Sequence, residues 1–174
     1  VARITGGTPG LYLINLKDGE RTFSYWRNAA AAKQLAADAD HLRRTVESAD
    51  VVYFSGITLA ILASAHDVDT FLAELRRAKA SGKLVVFDPN IRPRLWADKD
   101  VMLQTISNGA RAATLVMPSF DDEAAHFGDA DVEATINRYS ALGVTNIVVK
   151  DGANGATLDF AGTRCHAPAV QSAK

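Results

Sequence analysis

From residue 51 onward, the chain repeats a cycle in which a brief apolar run ends at a glycine, a proline or a polar residue and is followed by a longer amphipathic stretch. This alternation is typical of βα units, in which helices cover a parallel sheet that is buried on both faces. The predicted strands are 51–55, 84–88, 114–117 and 146–150, and the predicted helices are about 68–80, 99–113, 121–127 and 131–142. The sequence therefore predicts an α/β fold with a mostly parallel sheet.

Two hairpins are predicted at the ends of this α/β stretch. Residues 11–16 and 21–26 are rich in β-forming residues and surround Lys17-Asp18-Gly19-Glu20, in which Asp-Gly is a strong hairpin-turn signal. Residues 156–160 and 163–167, joined through Ala161-Gly162, indicate a second hairpin. Between the first hairpin and residue 51, alanine and leucine at helical spacing predict helices over 29–35 and 39–48.

The length and the net charge of the chain limit the classes of function that it can have. A chain of 174 residues is long enough for one sizeable domain, and a net charge of -1 gives no broad attraction for nucleic acid or an anionic membrane. The single cysteine, Cys165, fits a reduced cytoplasmic setting, and no apolar run approaches the roughly 20 residues of a membrane span. The first residue is not methionine, and the chain stops abruptly at Lys174. We therefore expect sequence to be missing at both ends, although trimming or disorder would give the same appearance.

In an open parallel sheet, ligands bind beyond the carboxyl ends of the strands. Four segments leave predicted strands there and turn at once to glycine, proline or polar residues: 55–58, 88–92, 118–121 and 150–152. Turn chemistry would explain any one of them, but four on one rim favour a ligand site. The sequence lacks a phosphate-binding P-loop, a dinucleotide fingerprint and paired cysteines for zinc, and its four histidines lack ligand spacing.

The first hairpin adds a more specific hypothesis. Side chains alternate along a strand, so Tyr25 and Arg27 project to one side, and Tyr12 can face the same way from the partner strand, depending on the register of the two strands. A guanidinium suits a carboxylate because its planar fork makes two parallel hydrogen bonds, and Arg92 offers a second one from the rim. These residues can therefore cover a small acid, or Arg27 can be a solvated charge beside ordinary β-forming tyrosines.

The motifs PGLYLINLKDGERTFSYWRN, YFSGITLAIL, FDPNIRPRLW, MPSFDDEA and VVKDGANGA occur in the order and approximate spacing of 2-keto-3-deoxygluconate kinases. Over about residues 5–169 the chain resembles this branch of the ribokinase-like (PfkB) sugar kinases. The resemblance implies a ribokinase-like fold, in which residues 1–28 form a β-ribbon lid and residues 29–174 an incomplete α/β core.

The resemblance also implies roles for individual residues. Contacts to 2-keto-3-deoxygluconate are expected from Tyr12, Tyr25, Arg27, Ile57 and Arg92. The nucleotide side is expected to include Ser119, Lys150, Gly152 and Gly155, and Asp122 or Glu123 is expected to organise Mg²⁺ through water. The family's general base and anion hole are expected beyond Lys174, so the chain alone is expected to be inactive.

The predicted function is transfer of phosphate from ATP, with Mg²⁺, to 2-keto-3-deoxygluconate. Three alternatives remain: another PfkB sugar kinase such as a fructokinase or ribokinase, a noncatalytic sugar-acid-binding fragment, and a structural module without a ligand. The predicted partners are a sugar acid and ATP, and the ribbon is a candidate surface for a homo-oligomer.

Overall fold

The computed structural model describes residues 3–17 and 20–170. Two strands, β1 (Leu11–Lys17) and β2 (Glu20–Trp26), form an antiparallel ribbon in which Tyr12 lies directly opposite Tyr25. The predicted hairpin is therefore confirmed, whereas its Asp18-Gly19 turn lies outside the described residues. A short 3₁₀ turn (Ala31–Gln34) and helix α1 (Ala39–Glu47) connect the ribbon to the main sheet.

The main sheet has six strands in the order of the chain. The strands are β3 (Val51–Ser55), β4 (Leu84–Asp88), β5 (Leu115–Val116), β6 (Asn146–Lys150), β7 (Ala156–Phe160) and β8 (Thr163–Ala167). The pairs from β3 to β6 are parallel, and β7 and β8 continue from β6 as antiparallel neighbours. The prediction of a mostly parallel α/β sheet is confirmed, and the second hairpin forms its antiparallel edge.

Five further helices surround the sheet: α2 (Gly56–Ile61), α3 (Ala65–Ala80), α4 (Lys99–Ala112), α5 (Phe120–Phe127) and α6 (Val132–Ala141). Ser64, Asp98 and Asp131 cap the starts of α3, α4 and α6, since each side chain accepts a hydrogen bond from a backbone amide of the first turn. These caps explain why α3 begins at Ala65, three residues earlier than the apolar pattern predicts.

The structure differs from the sequence prediction in three other places. Residues 29–35 form only the 3₁₀ turn, whose first residue follows an Ala30 without a side-chain cap. Helix α2 was not predicted; Ser55 caps it by accepting from the Thr58 amide, while the Thr58 hydroxyl accepts from the Ser55 amide. Strand β5 is shorter than predicted, and Thr114 still pairs with Val85 through its backbone and its hydroxyl.

The apolar core lies between the sheet and its helices. Phe54 and Phe87 stack on adjacent strands with ring centroids 4.6 Å apart, and Phe71 meets Phe54 edge-on from α3. Leu75, Ile106 and other helix residues complete this layer. None of the helices in the described ranges has the length and apolarity that crossing a membrane requires.

Candidate active site

The turns that follow β3 and β4 touch through their backbones. A β-carbon on Gly56 would lie 2.0 Å from the carbonyl oxygen of Pro89 and 2.7 Å from Cδ1 of Ile106. Only a residue without a side chain fits such an approach. Gly56 therefore fixes the start of α2 against the Asp88-Pro89-Asn90 turn, and the two rim segments form one unit.

Asp88 connects three strands at this rim. Its Oδ1 lies 3.2 Å from Nζ of Lys150 at the end of β6, and its Oδ2 accepts a hydrogen bond from the Tyr53 hydroxyl at 3.3 Å. Partial burial, together with the negative charge of Asp88, raises the pKa of Tyr53, so this phenol stays protonated and donates. Sequence reasoning did not single out Tyr53 or the Asp88 carboxylate, although Asp88 stands inside the rim segment 88–92.

The predicted lid residues meet on the ribbon. The rings of Tyr12 and Tyr25 lie 6.4 Å apart, and the guanidinium carbon of Arg27 lies 4.4 Å from the centre of the Tyr25 ring. At this distance the guanidinium is attracted to the face of the ring. The structure thus brings together two phenols and one cation, as the alternation along the strands predicted.

A cavity of 460 Å³ opens at the base of the ribbon. Tyr12 and Arg27 line it together with residues of the 3₁₀ turn, the end of α2, and Arg94 with Leu95. Three predicted residues are not part of this lining: Tyr25 lies beside Arg27 on the ribbon, Ile57 lies one turn earlier on α2, and Arg92 lies two residues before Arg94. Sequence reasoning missed Arg94, although it belongs to the quoted FDPNIRPRLW motif.

Arg92 itself is half exposed at the rim. Its Nη1 donates to the carbonyl oxygen of Ile91 at 2.6 Å and lies 3.4 Å from Oδ2 of Asp122. The predicted sugar-binding residue Arg92 and the predicted magnesium-organising residue Asp122 are therefore neighbours. The convergence of Arg92 with Arg27 on one ligand stays a prediction.

Glu123, the alternative magnesium-organising residue, points into the protein. Its side chain is 0% exposed, and Oε2 lies 2.6 Å from Nη2 of Arg138 on α6. Arg138 also holds Asp129, whose Oδ2 lies 2.7 Å from Nη2. Burial raises the pKa of Glu123 to about 7, against the opposing effect of Arg138. This geometry joins α5 to α6 and leaves no Glu123 oxygen at the rim.

These positions decide how the chain could hold Mg²⁺. Over residues 3–17 and 20–170, no cluster of three or more acidic, histidine or cysteine side chains has metal-binding geometry. Mg²⁺ commonly uses only one or two carboxylates with several waters and substrate phosphates, so the partly exposed Asp122 fits an indirect role. Glu123 does not fit it, because both its burial and its ion pair with Arg138 remove it from solvent.

The segments predicted for the nucleotide side lie next to each other. Ser119 precedes α5, its hydroxyl makes no capping bond, and its backbone bridges to that of Lys150. Gly152 and Gly155 both have positive φ, 51° and 95°. A β-carbon on Gly155 would also lie 2.2 Å from the carbonyl oxygen of Ala167, so packing against the second hairpin requires this glycine as well.

Comparison with known proteins gives a consistent family. The model of the pfkB family of carbohydrate kinases matches residues 1–174. A protein of Escherichia coli K12 named 2-dehydro-3-deoxygluconokinase is 41% identical over 167 residues, which cover 92% of this chain and 52% of that protein. A relative of the same name from Dickeya dadantii is 37% identical over 165 residues, 93% of this chain and 53% of the relative.

A solved structure shows the same fold. The crystal structure of a PfkB protein from Polaromonas sp. JS666 matches with a TM-score of 0.83 and 27% identity, covering 95% of this chain and 55% of that one. A putative ribokinase II from E. coli, solved in complex with ATP and Mg²⁺, matches with a TM-score of 0.71 and 25% identity over 92% of this chain and 50% of its own. The chain spans about half the length of the curated relatives it matches. With a ribokinase-like sheet and a family match along its whole length, the chain belongs to the pfkB family of carbohydrate kinases.

Proposed function

We propose that the full-length protein containing this chain is a kinase that transfers phosphate from ATP to 2-keto-3-deoxygluconate, also called 2-dehydro-3-deoxygluconate. The observation that carries the proposal is the group of Tyr12, Tyr25 and Arg27 on the ribbon, where the guanidinium lies 4.4 Å from the Tyr25 ring and beside a cavity of 460 Å³. Membership of a carbohydrate kinase family supports the reaction. The names of the most similar relatives support the sugar acid.

The ribbon and the rim would bind the sugar from two sides. Tyr12, Tyr25 and Arg27 would cover it from the ribbon, while Ile57 and Arg92 would contact it from the ends of β3 and β4. A guanidinium at such a site recognises a carboxylate through paired charge-assisted hydrogen bonds. Holding the acceptor in one orientation lowers the barrier because the entropy of alignment is lost on binding rather than in the reaction.

On the nucleotide side, Lys150 would offset phosphate charge, and the backbone around Ser119, Gly152 and Gly155 would approach the nucleotide closely. Mg²⁺, when bound with ATP, would neutralise part of the charge on the transferred phosphate. Asp122 would orient water around that ion. The proton of the attacking hydroxyl is expected to pass to a carboxylate beyond Lys174, as the family resemblance implies.

The ribbon is also the proposed surface for a homo-oligomer. Leu11, Leu13 and Trp26 share one face of the ribbon and are between 51% and 60% exposed. Exposed apolar side chains in one patch are typical of protein interfaces. Sedimentation of the full-length protein, with Leu13→Glu as the variant, tests this part of the proposal.

The test of the activity is a sugar panel with the full-length protein. ADP release is measured with 2-keto-3-deoxygluconate, fructose and ribose, and we expect kcat/KM to be highest for the acid. Arg27→Ala should lower kcat/KM for the acid about 10–100-fold, because a hydrogen bond to a charged group is worth about 1.5–3 kcal/mol. Arg44→Ala, on the exposed face of α1, is the matched control.

Two results would reject the proposal. Equal turnover of fructose and the keto-deoxy acid would remove the carboxylate argument and favour another PfkB sugar kinase. Calorimetric binding of the acid without turnover of any sugar would favour a noncatalytic sugar-acid-binding protein.

A further inference from the structure

The cavity at the base of the ribbon is lined by positively charged side chains. Its lining includes three cationic side chains, Arg27, Lys33 and Arg94, and the neutral polar residues Tyr12 and Asn28. Among the residues whose side chains the structure describes, no aspartate or glutamate belongs to this lining. The three cations come from three different elements, the end of β2, the 3₁₀ turn and the segment after β4, so the fold rather than local sequence gathers them.

Within the described ranges, none of these three side chains forms an ion pair or donates a side-chain hydrogen bond; Arg27 only lies over the Tyr25 ring. Arg92, by contrast, two residues before Arg94, is paired with Asp122. Arg27 and Lys33 are also partly buried. Like charges around one cavity repel each other, and partial burial removes some of the water that would screen them. A bound anion would relieve both effects.

We propose that Lys33 and Arg94, together with Arg27, form an anion-binding subsite that holds the carboxylate of the sugar acid. This inference rests on the proposed function and adds Lys33 and Arg94 to the residues that determine specificity for an acidic sugar. Two guanidinium forks and one ammonium match the several lone pairs of a carboxylate. The cavity volume of 460 Å³ lies within the range of small-ligand sites, which is about 300–1,000 Å³.

The subsite also gives the two arginines of the FDPNIRPRLW motif different tasks. Arg92, which would contact the sugar from the rim, is paired with Asp122 and donates to the backbone at Ile91, so it also links the rim to α5. Arg94 lines the cavity, and its charge has no ion-pair partner among the described residues. A neutral sugar would leave that charge uncompensated, and the subsite would therefore favour an acid over a neutral sugar of similar size.

The experiment measures binding of 2-keto-3-deoxygluconate to the full-length protein by calorimetry. The variants are Arg94→Ala and Lys33→Met, and the control is Arg76→Ala on the exposed face of α3. We expect each variant to weaken binding of the acid about 10–100-fold, since each removes a charged hydrogen-bond donor. The Kd for ATP should stay within twofold, and thermal melting of each variant should match that of the wild type because these side chains make no described ion pair.

Salt provides a second readout that a purely structural role would not change. The affinity of the wild type for the acid should fall as the salt concentration rises, and it should fall less steeply in both variants, because screening acts on the charges that they remove.

The outcomes separate the two proposals. If Arg27→Ala loses the acid while Arg94→Ala and Lys33→Met bind it within twofold of the wild type, the subsite is refuted and the proposed function stands. If the wild type binds fructose but not the acid, both the proposed substrate and the subsite are refuted.

Discussion

Replacing Arg138 with methionine should destabilise the protein far more than removal of a surface arginine. Its Nη2 lies 2.6 Å from Oε2 of Glu123 and 2.7 Å from Oδ2 of Asp129, and these two side chains are only 0% and 7% exposed. Among the described residues, no other cation forms an ion pair with either carboxylate. Methionine keeps an apolar stem against Phe127 but leaves two acids buried without a counter-charge.

Breaking a buried ion pair by removing one partner costs about 3–5 kcal/mol, because the remaining charge stays desolvated. We expect a loss in this range for Arg138→Met in urea unfolding of the full-length protein at pH 8, where Glu123 of the wild type, whose pKa is about 7, is mostly ionised and paired with Arg138. The control Arg76→Met should change the free energy of unfolding by no more than about 0.5 kcal/mol. Adding Glu123→Gln to Arg138→Met should recover part of the loss.

The same variant should show a characteristic pH dependence. Burial raises the pKa of Glu123 above its usual 4.5, so the folded protein holds a proton that the unfolded chain releases between these two values. Stability from this group therefore falls as pH rises through about 7. Arg138 lowers this pKa, so its removal raises the pKa of Glu123 further, and the loss in Arg138→Met should be smaller at pH 5.5, where Glu123 is protonated in both proteins, than at pH 8. A loss under 1 kcal/mol at pH 8, or one that grows on acidification, would refute the reasoning.

Two further substitutions test the rim. Gly56→Ala should lower the free energy of unfolding by about 1–3 kcal/mol, because the new β-carbon would lie 2.0 Å from the Pro89 carbonyl oxygen. The control Gly10→Ala, whose β-carbon would have its nearest contact at 3.6 Å, should change the stability very little. Equal urea midpoints for the two variants would contradict the close approach at Gly56. Lys150→Met should raise the KM for ATP about tenfold or more and leave the KM for the sugar acid unchanged, with a stability change below about 1 kcal/mol because its pair with Asp88 is partly exposed. A larger effect on the sugar than on ATP would move Lys150 away from the nucleotide side.

The sequence predicts the strands and most helices because the spacing of apolar residues along each element follows from which of its faces is buried. The runs at β3, β4 and β6 are mostly apolar, and the structure places these strands at the predicted residues, although Val51 and Tyr53 of the edge strand β3 are exposed. Helix α2 is different: only six residues long, it depends on the capping exchange between Ser55 and Thr58 and on contact with the next rim turn. Neither produces a periodic pattern, so sequence reasoning read this segment as a turn.

The candidate site was predictable where one strand or one motif carries the residues. The alternation along β1 and β2 fixes the relation of Tyr12, Tyr25 and Arg27, because register and side-chain direction follow from strand geometry. The contacts of Arg94 and Lys33 with one cavity were not predictable, since they depend on how separate elements pack. Whether Asp122 or its neighbour faces solvent is likewise decided by the turn of α5, and the sequence alone left both open.

The rim contacts connect the proposed sugar side of the site physically with the proposed nucleotide side. Gly56 ties the end of β3 to the turn after β4, and Asp88 at that turn holds Lys150 across β5. A shift of the β4 turn would therefore move the start of α2 on one side and the Lys150 ammonium on the other. The Gly56 contact is rigid because it joins two backbone segments. The ion pair between Asp88 and Lys150 can break because it is partly exposed to water. Binding of phosphate by Lys150 would thus compete with Asp88 and leave the sugar-side backbone in place, which accounts for why changes at Lys150 should affect ATP alone.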